Sequence, residues 1–336
     1  MKFAPIIYLI GMLLCILSLF MLVPAFVDWF YGSENWPAFV GSSISTLFVG
    51  LILFFSNKGS ATEHLELRQA FLLTNSAWIS IALFGSLPFL LSDIEMSFID
   101  AFFESTSGIT TTGATVIENL EAKSHGILIW RALLQWLGGV GIIVMALAVL
   151  PMLSIGGMQL FKTESYETPD KVVPKAASFA AGISIVYITL TVIWALMLWG
   201  AGMPMFDSIA HAMTTLATGG YSTKSESLAA FNSSNIEIII IFGMLVGSLP
   251  FVHYLTLSKN GLKNLIKDDQ VKLFLTLVFF VVLIMSLYLS SNNIPYLEAL
   301  RLASFNVISI ITGTGFGTSD FSSWGGFPTT ILLILM

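Results

Sequence analysis

Three short segments carry residue types that could replace the water around a cation: Thr110-Thr111-Thr112-Gly113-Ala114-Thr115, Ala217-Thr218-Gly219-Gly220-Tyr221-Ser222 and Thr312-Gly313-Thr314-Gly315-Phe316-Gly317. A dehydrated cation needs oxygen ligands, and backbone carbonyls supply them without the tight trapping a carboxylate would cause. Aiming carbonyls inward requires extended or left-handed backbone, which glycine tolerates and a Cβ often does not. Threonine can add a hydroxyl oxygen. No acidic or basic residue occurs in any of the three segments, so the chemistry is that of a carbonyl filter rather than a carboxylate ring. The expected ion ligands are the carbonyls of Thr112, Gly113, Gly219, Gly220, Thr314 and Gly315. Thr111, Thr218, Thr312 and Gly313 complete the candidate site. No catalytic residues are expected.

The chain around these segments is built for lipid. Of 336 residues, 56% are hydrophobic and only 10% charged, with mean hydropathy +0.87; soluble domains carry about 25% charged residues. The lone cysteine, Cys15, excludes an intramolecular disulfide and a cysteine metal cluster. The stretch from Ile6 to Val23 is longer than a signal-peptide core and lacks a clean A-x-A site, so a retained transmembrane helix is expected. Apolar runs near the length needed to span hydrocarbon fall at about 5–27, 37–56, 70–92, 126–151, 176–201, 235–257 and 271–291. An eighth starts near Phe327 and is still apolar at Met336.

Shorter amphipathic pieces at about 97–109, 205–217 and 296–311 precede the Thr/Gly segments. They are too short to span and suit buried or re-entrant helices. The order of span, short helix, loop and span occurs three times, with Gly113, Gly220 and Gly315 spaced by 107 and 95 residues. Such an internal repeat implies pseudo-symmetric subdomains. The expected fold is therefore an all-α integral membrane protein: an N-terminal hairpin over 1–60, then pore repeats over 61–157, 158–262 and 263–336, the last cut short in its second span.

Lys58, Arg68, Lys162, Lys171, Lys175, Lys259, Lys263, Lys267 and Lys272, with Lys2, place 10 of the 14 basic residues on one side, and 13 of the 20 acids fall on the other, with the loops. The positive-inside rule makes the loops extracytoplasmic. Each short helix would then aim its C-terminal end, worth roughly half a negative charge, toward a cation. Asp100, Glu104, Asp207 and Glu298 are expected to stabilise the opposite ends. Six acids from Asp93 to Glu121, with no lysine or arginine among them, read equally as a cation-concentrating funnel or a solvated loop. Arg131, beside Trp130 and Trp136, is expected to snorkel to an aromatic interface, with a gating or counter-charge role as the alternative. His211 and His253 are expected to be packed or hydrogen-bonded, and Gly138-Gly139-Val140-Gly141 to mark close helix packing. The signatures H-E-x-x-H, G-x-S-x-G and G-x-x-x-x-G-K-[ST] are missing.

The stretch from Ser105 to Thr115 resembles the first filter region of the Trk/Ktr/HKT superfamily of potassium transporters, and is most similar to the bacterial Trk membrane subunit, the TrkH type. Leu216 to Thr223 and Thr312 to Gly317 resemble its second and third filters, and Trp130-Arg131 through Val144 resembles the helix after the first. The resemblance implies potassium as the transported ion, with no cofactor, and four repeats around one pore, each giving one key glycine, here Gly113, Gly220 and Gly315. It also implies a multi-pass bacterial inner-membrane protein, a homodimer in lipid, and a cytoplasmic nucleotide-binding regulatory subunit of the TrkA type, with no nucleic-acid partner. The fourth repeat and an intramembrane gating loop are expected beyond Met336. Within transport, the alternative is a sodium-permeable or sodium/potassium-coupled member; serine at a filter glycine would favour it, and all three positions are glycine. An intramembrane enzyme would need paired acids, a Ser/His pair or metal ligands within the spans. A pore-less assembly subunit would carry no flux.

Overall fold

In the computed structural model, the described residues are 3–60, 67–153, 172–251, 253–255 and 263–336. The expected repeat boundaries after 60, 157 and before 263 fall on or beside stretches outside the described residues, as do Lys2, Lys162, Lys171 and Lys259. Everything regular among the described residues is helical. Five helices there are long and apolar enough to cross a membrane: Ala4–Phe30, Trp36–Ser56, Arg68–Leu91, Ala180–Gly200 and Asp269–Ser291.

The chain divides into two compact units. One comprises Met1–Thr110, Ala114–Glu118 and Ala122–Ala180; the other comprises Thr111–Gly113, Asn119–Glu121 and Ala181–Met336. In the first, α1 (Ala4–Phe20) and α2 (Leu22–Phe30) form one nearly continuous span that packs on α3 (Trp36–Ser56). The crossing rests on small residues. A Cβ at Gly11 would lie 2.6 Å from the Phe54 amide nitrogen, and one at Gly50 would lie 2.9 Å from the Cys15 sulfur. Without a hydrophobic drive between helices in lipid, such close backbone approach supplies the attraction.

α4 (Leu67–Gly85) and α5 (Leu87–Leu91) lead to the short α6 (Phe98–Ile109), and α7 (His125–Leu153) follows the first Thr/Gly loop. Ser97 caps α6: its hydroxyl accepts the Asp100 N–H (3.2 Å) and donates to the Asp100 carboxylate (2.7 Å). This reciprocal arrangement satisfies an orphan donor of the first turn. α7 starts against a buried acid from α2. Asp28 accepts the Gly126 N–H at 2.5 Å and the Ser124 hydroxyl at 3.0 Å, placing an anion where the helix dipole and free N–H groups favour one.

The second unit holds α8 (Val172–Gly200, from Ala181 onward), the short α9 (Met205–Leu216) and α10 (Ser234–Ser248), followed by α11 (Lys263–Lys267), α12 (Asp269–Ser291), the short α13 (Tyr296–Ile311) and α14 (Gly326–Leu335). α13 packs on α12 and on α10, and α9 on α10. Arg301 of α13 forks onto Glu237 of α10 at 2.7 and 2.8 Å. The apolar run expected over 235–257 is not one helix. α10 ends at Ser248 and Leu249 is extended, with φ −78° and ψ 151°. Pro250 explains the break, because its ring disfavours helical backbone at the preceding residue.

Candidate ion-filter site

The three Thr/Gly segments share one backbone path. The short helices α6, α9 and α13 end with caps at Thr110, Ala217 and Thr312. The next residue in each case turns left-handed: Thr111 at φ 57°, Thr218 at 49° and Gly313 at 70°. Two residues later the key glycine does the same, Gly113 at 81°, Gly220 at 77° and Gly315 at 84°. In the second and third loops the turn is a full Schellman motif. The Thr218 N–H donates to Thr215 O and Gly219 N–H to Thr214 O; Gly313 N–H donates to Ile310 O and Thr314 N–H to Ser309 O. Each motif ties off orphan carbonyls at the helix end. Threonine at a left-handed position is a true outlier for a β-branched residue, and strain of this kind concentrates at ligand sites.

The second and third loops lie together. A Cβ added to Gly220 would collide with the carbonyl oxygen of Thr314. Thr111–Gly113 at the tip of the first loop belong to the same compact unit as both. Thr314 and Gly219, at equivalent points, are buried, whereas Thr112 is exposed. Thr312 and Thr314 pair through their hydroxyls at 2.7 Å.

Behind the loops, the short helices reach past the Thr/Gly segments by side chain. Ser107, six residues before Gly113, donates to Ala114 O (2.6 Å); Ser309, six before Gly315, donates to Phe316 O (2.7 Å). In the second repeat Thr214 fills this position and bonds within its own helix, to Ala210 O at 3.2 Å. The helix after the loop abuts the short helix end in two cases. A Cβ at Gly138 would strike Ile109 O, and one at Gly247 would lie 2.9 Å from Leu216 O. The close packing expected of the glycine cluster is thus met at Gly138, while Gly247 carried no sequence signal beyond its place in an apolar run.

Several expectations for charged residues are corrected. Arg131 does not snorkel: it is 1% exposed and its Nε donates to Glu104 at 2.8 Å. Trp130 is fully buried and donates to Gly85 O at 3.0 Å rather than marking an interface. Glu104 sits beyond the first turn of α6, where Asp100 is the acid; Asp207 and Glu298 do occupy first turns. A buried carboxylate and guanidinium each need the other to offset desolvation, which explains why both turn inward. Four of the six acids that read equally as a funnel or a solvated loop have local structural duties. Asp93 accepts from the Asn35 amide, Asp100 accepts the hydroxyl of the α6 cap Ser97, Glu104 binds Arg131, and Glu121 accepts the Ser225 N–H (2.8 Å) and hydroxyl (2.7 Å). The Ser225 bonds hold the Glu121 carboxyl below its ordinary pKa. His211 is packed and bonded as expected, and His253 pairs with Asp268 at 3.0 Å. Among the described residues no group of His, Cys, Asp and Glu could hold a metal ion.

Residues 36–336 match the TrkH family of cation transport proteins. The chain belongs to that family. It is 38% identical over 339 residues to the Trk system potassium uptake protein TrkH of Salmonella typhimurium, covering 99% of this chain and 70% of that protein. To the Trk system potassium uptake protein TrkI of Halomonas elongata it is 36% identical over 325 residues, covering 96% of this chain and 66% of that one. The crystal structure of the potassium transporter TrkH from Vibrio parahaemolyticus superposes with a TM-score of 0.91 at 35% identity, over all of this chain and 70% of that one. The chain thus spans about two thirds of the length of these relatives. As a TrkH-family member it is a multi-pass membrane protein of a transport family rather than an enzyme.

Proposed function

We propose that this chain contributes the pore of a bacterial potassium uptake system of the Trk type, with potassium held by the carbonyls of Thr112, Gly113, Gly219, Gly220, Thr314 and Gly315. The observation that carries the reading is the repeated pair of left-handed residues, Thr111/Gly113, Thr218/Gly220 and Gly313/Gly315. A backbone bent twice in this way after a helix end can turn successive carbonyls to one side, as dehydrating an ion requires. Relatives named as potassium uptake proteins support the choice of ion.

In this reading α6, α9 and α13 are re-entrant pore helices within three pseudo-symmetric repeats, over 61–157, 158–262 and 263–336, following a transmembrane hairpin over 1–60. The loops face the outside of the inner membrane. The subunit works as a homodimer in lipid, with a nucleotide-binding cytoplasmic partner of the TrkA type. Glycine at all three key positions favours potassium over the sodium-permeable alternative. The test is rubidium and potassium uptake by the full-length transporter carrying Gly113→Ser. Its potassium-over-sodium preference is expected to fall, and an unchanged preference would remove the filter assignment.

A further inference from the structure

The residue nine positions before each key glycine is polar and buried: Glu104 (0% exposed) before Gly113, His211 (0%) before Gly220 and Asn306 (2%) before Gly315. A different residue type stands at each place, which hides the equivalence in sequence. All three nevertheless do the same thing, reaching from the buried side of the short helix to the chain just past the filter. Glu104 accepts the Thr115 hydroxyl at 2.9 and 3.0 Å and the Val116 N–H at 3.0 Å, and is itself gripped by Arg131. His211 meets the Ser222 hydroxyl through Nε2 at 3.0 Å. Its Nδ1 faces Asp207 O at 2.8 Å, which assigns the ring proton to Nδ1 and makes Nε2 the acceptor. Asn306 donates to Leu302 O at 2.9 Å and to the Ser319 hydroxyl at 3.2 Å. The partners lie two, two and four residues beyond the glycine.

We propose that Glu104, His211 and Asn306 are positioning residues that fix where the filter backbone leaves each key glycine, and that they thereby set cation selectivity without touching the ion. The inference rests on the potassium-pore reading. A filter discriminates by the number and placement of its carbonyl dipoles, and a glycine has no side chain to hold it, so its position depends on backbone bonds such as Gly315 N–H to Ser309 O (3.2 Å) and on its neighbours. An anchor on the downstream chain, bonded to a rigid helix, supplies that hold. In the first repeat it is a three-way junction of α6, the post-filter chain and α7, so a change on α7 at Arg131 reaches the first filter through Glu104. The second anchor is cross-tied by Thr223, whose hydroxyl donates to Asp207 at 2.7 Å one turn before His211.

The experiment measures potassium and sodium uptake by the full-length transporter with Ser222→Ala, Ser319→Ala and Thr115→Val, which remove the anchored hydroxyls from the loop side and leave the helices intact. Each is expected to lower the potassium-over-sodium ratio by roughly fivefold, the effect of one ordinary hydrogen bond, in a transporter that still folds and inserts. Thr115→Ser, which restores a hydroxyl, is expected to recover the ratio. In the His211→Ala background Ser222→Ala should lower the ratio by less than it does alone, the remainder being the Lys224 N–H bond that the same hydroxyl accepts (3.0 Å). A wild type that carries no potassium would defeat the pore reading itself. A selective wild type with three equally selective variants would overturn the anchors alone, as would a loss of stability that leaves the ratio untouched.

Discussion

Gly220 of the second loop stands against the carbonyl oxygen of Thr314 in the third, with no room for a methyl group between them. Its φ of 77° independently excludes comfortable occupation by an L side chain. Gly220→Ala therefore meets two penalties, a left-handed conformation worth about 1–2 kcal/mol and a collision that must displace a candidate ion ligand. Uptake by the full-length variant is expected to fall by more than about tenfold, since each 1.4 kcal/mol is a factor of ten. Gly315→Ala tests the distinction: Gly315 has open space around it and only the conformational penalty, so its loss should be smaller. Equal losses would show that the Gly220–Thr314 approach is not functional.

The Glu104–Arg131 pair is buried on both sides. Removing one partner leaves an uncompensated charge, which typically costs about 3–5 kcal/mol. Arg131→Met and Glu104→Gln should each lower the melting temperature in detergent, and the double variant should be less impaired than the sum of the two. Strict additivity would show that the pair is not energetically coupled.

Asp268 caps α12 by accepting the Gln270 and Val271 N–H groups at 2.8 and 3.1 Å. Asp268→Ala is expected to cost about 1 kcal/mol, the usual worth of such a cap. The Val271 bond, and after it His253, hold the carboxyl below its ordinary range. A group with a lowered folded pKa contributes stability above its unfolded pKa, near 4 for aspartate, and loses it as pH falls through the folded value. Wild type and Asp268→Ala should thus differ in thermal stability at neutral pH and converge as the pH drops below about 4. A difference that persists in acid would show that the cap acts through packing.

The helices were legible because lipid imposes a simple rule: about twenty apolar residues to span, fewer to enter and turn. Thus α6, α9 and α13 appear at Phe98–Ile109, Met205–Leu216 and Tyr296–Ile311, where expected over 97–109, 205–217 and 296–311. The bend at each Thr/Gly loop was legible for a related reason: glycine two residues past a turn marks a backbone few other residues can follow. The preferred reading of Arg131 and Trp130 as interfacial fails, and the counter-charge alternative for Arg131 fits its pairing with Glu104. Their position near a span end suggests an interface, but the direction a side chain faces depends on the neighbour, and α6 brings Glu104 there.

By itself the sequence determined the membrane class, the place of the short helices and of most spans, and three glycines free to take extended or left-handed backbone, because hydropathy, length and the absence of a Cβ act locally. Only the tertiary structure decided that Gly220 meets Thr314, that Gly138 and Gly247 abut the ends of short helices, and that Glu104, His211 and Asn306 hold equivalent posts. A carboxylate, an imidazole and an amide share no residue pattern. They share only the ability to hold a hydroxyl at hydrogen-bonding distance, and that becomes visible once folding has brought the hydroxyl to them.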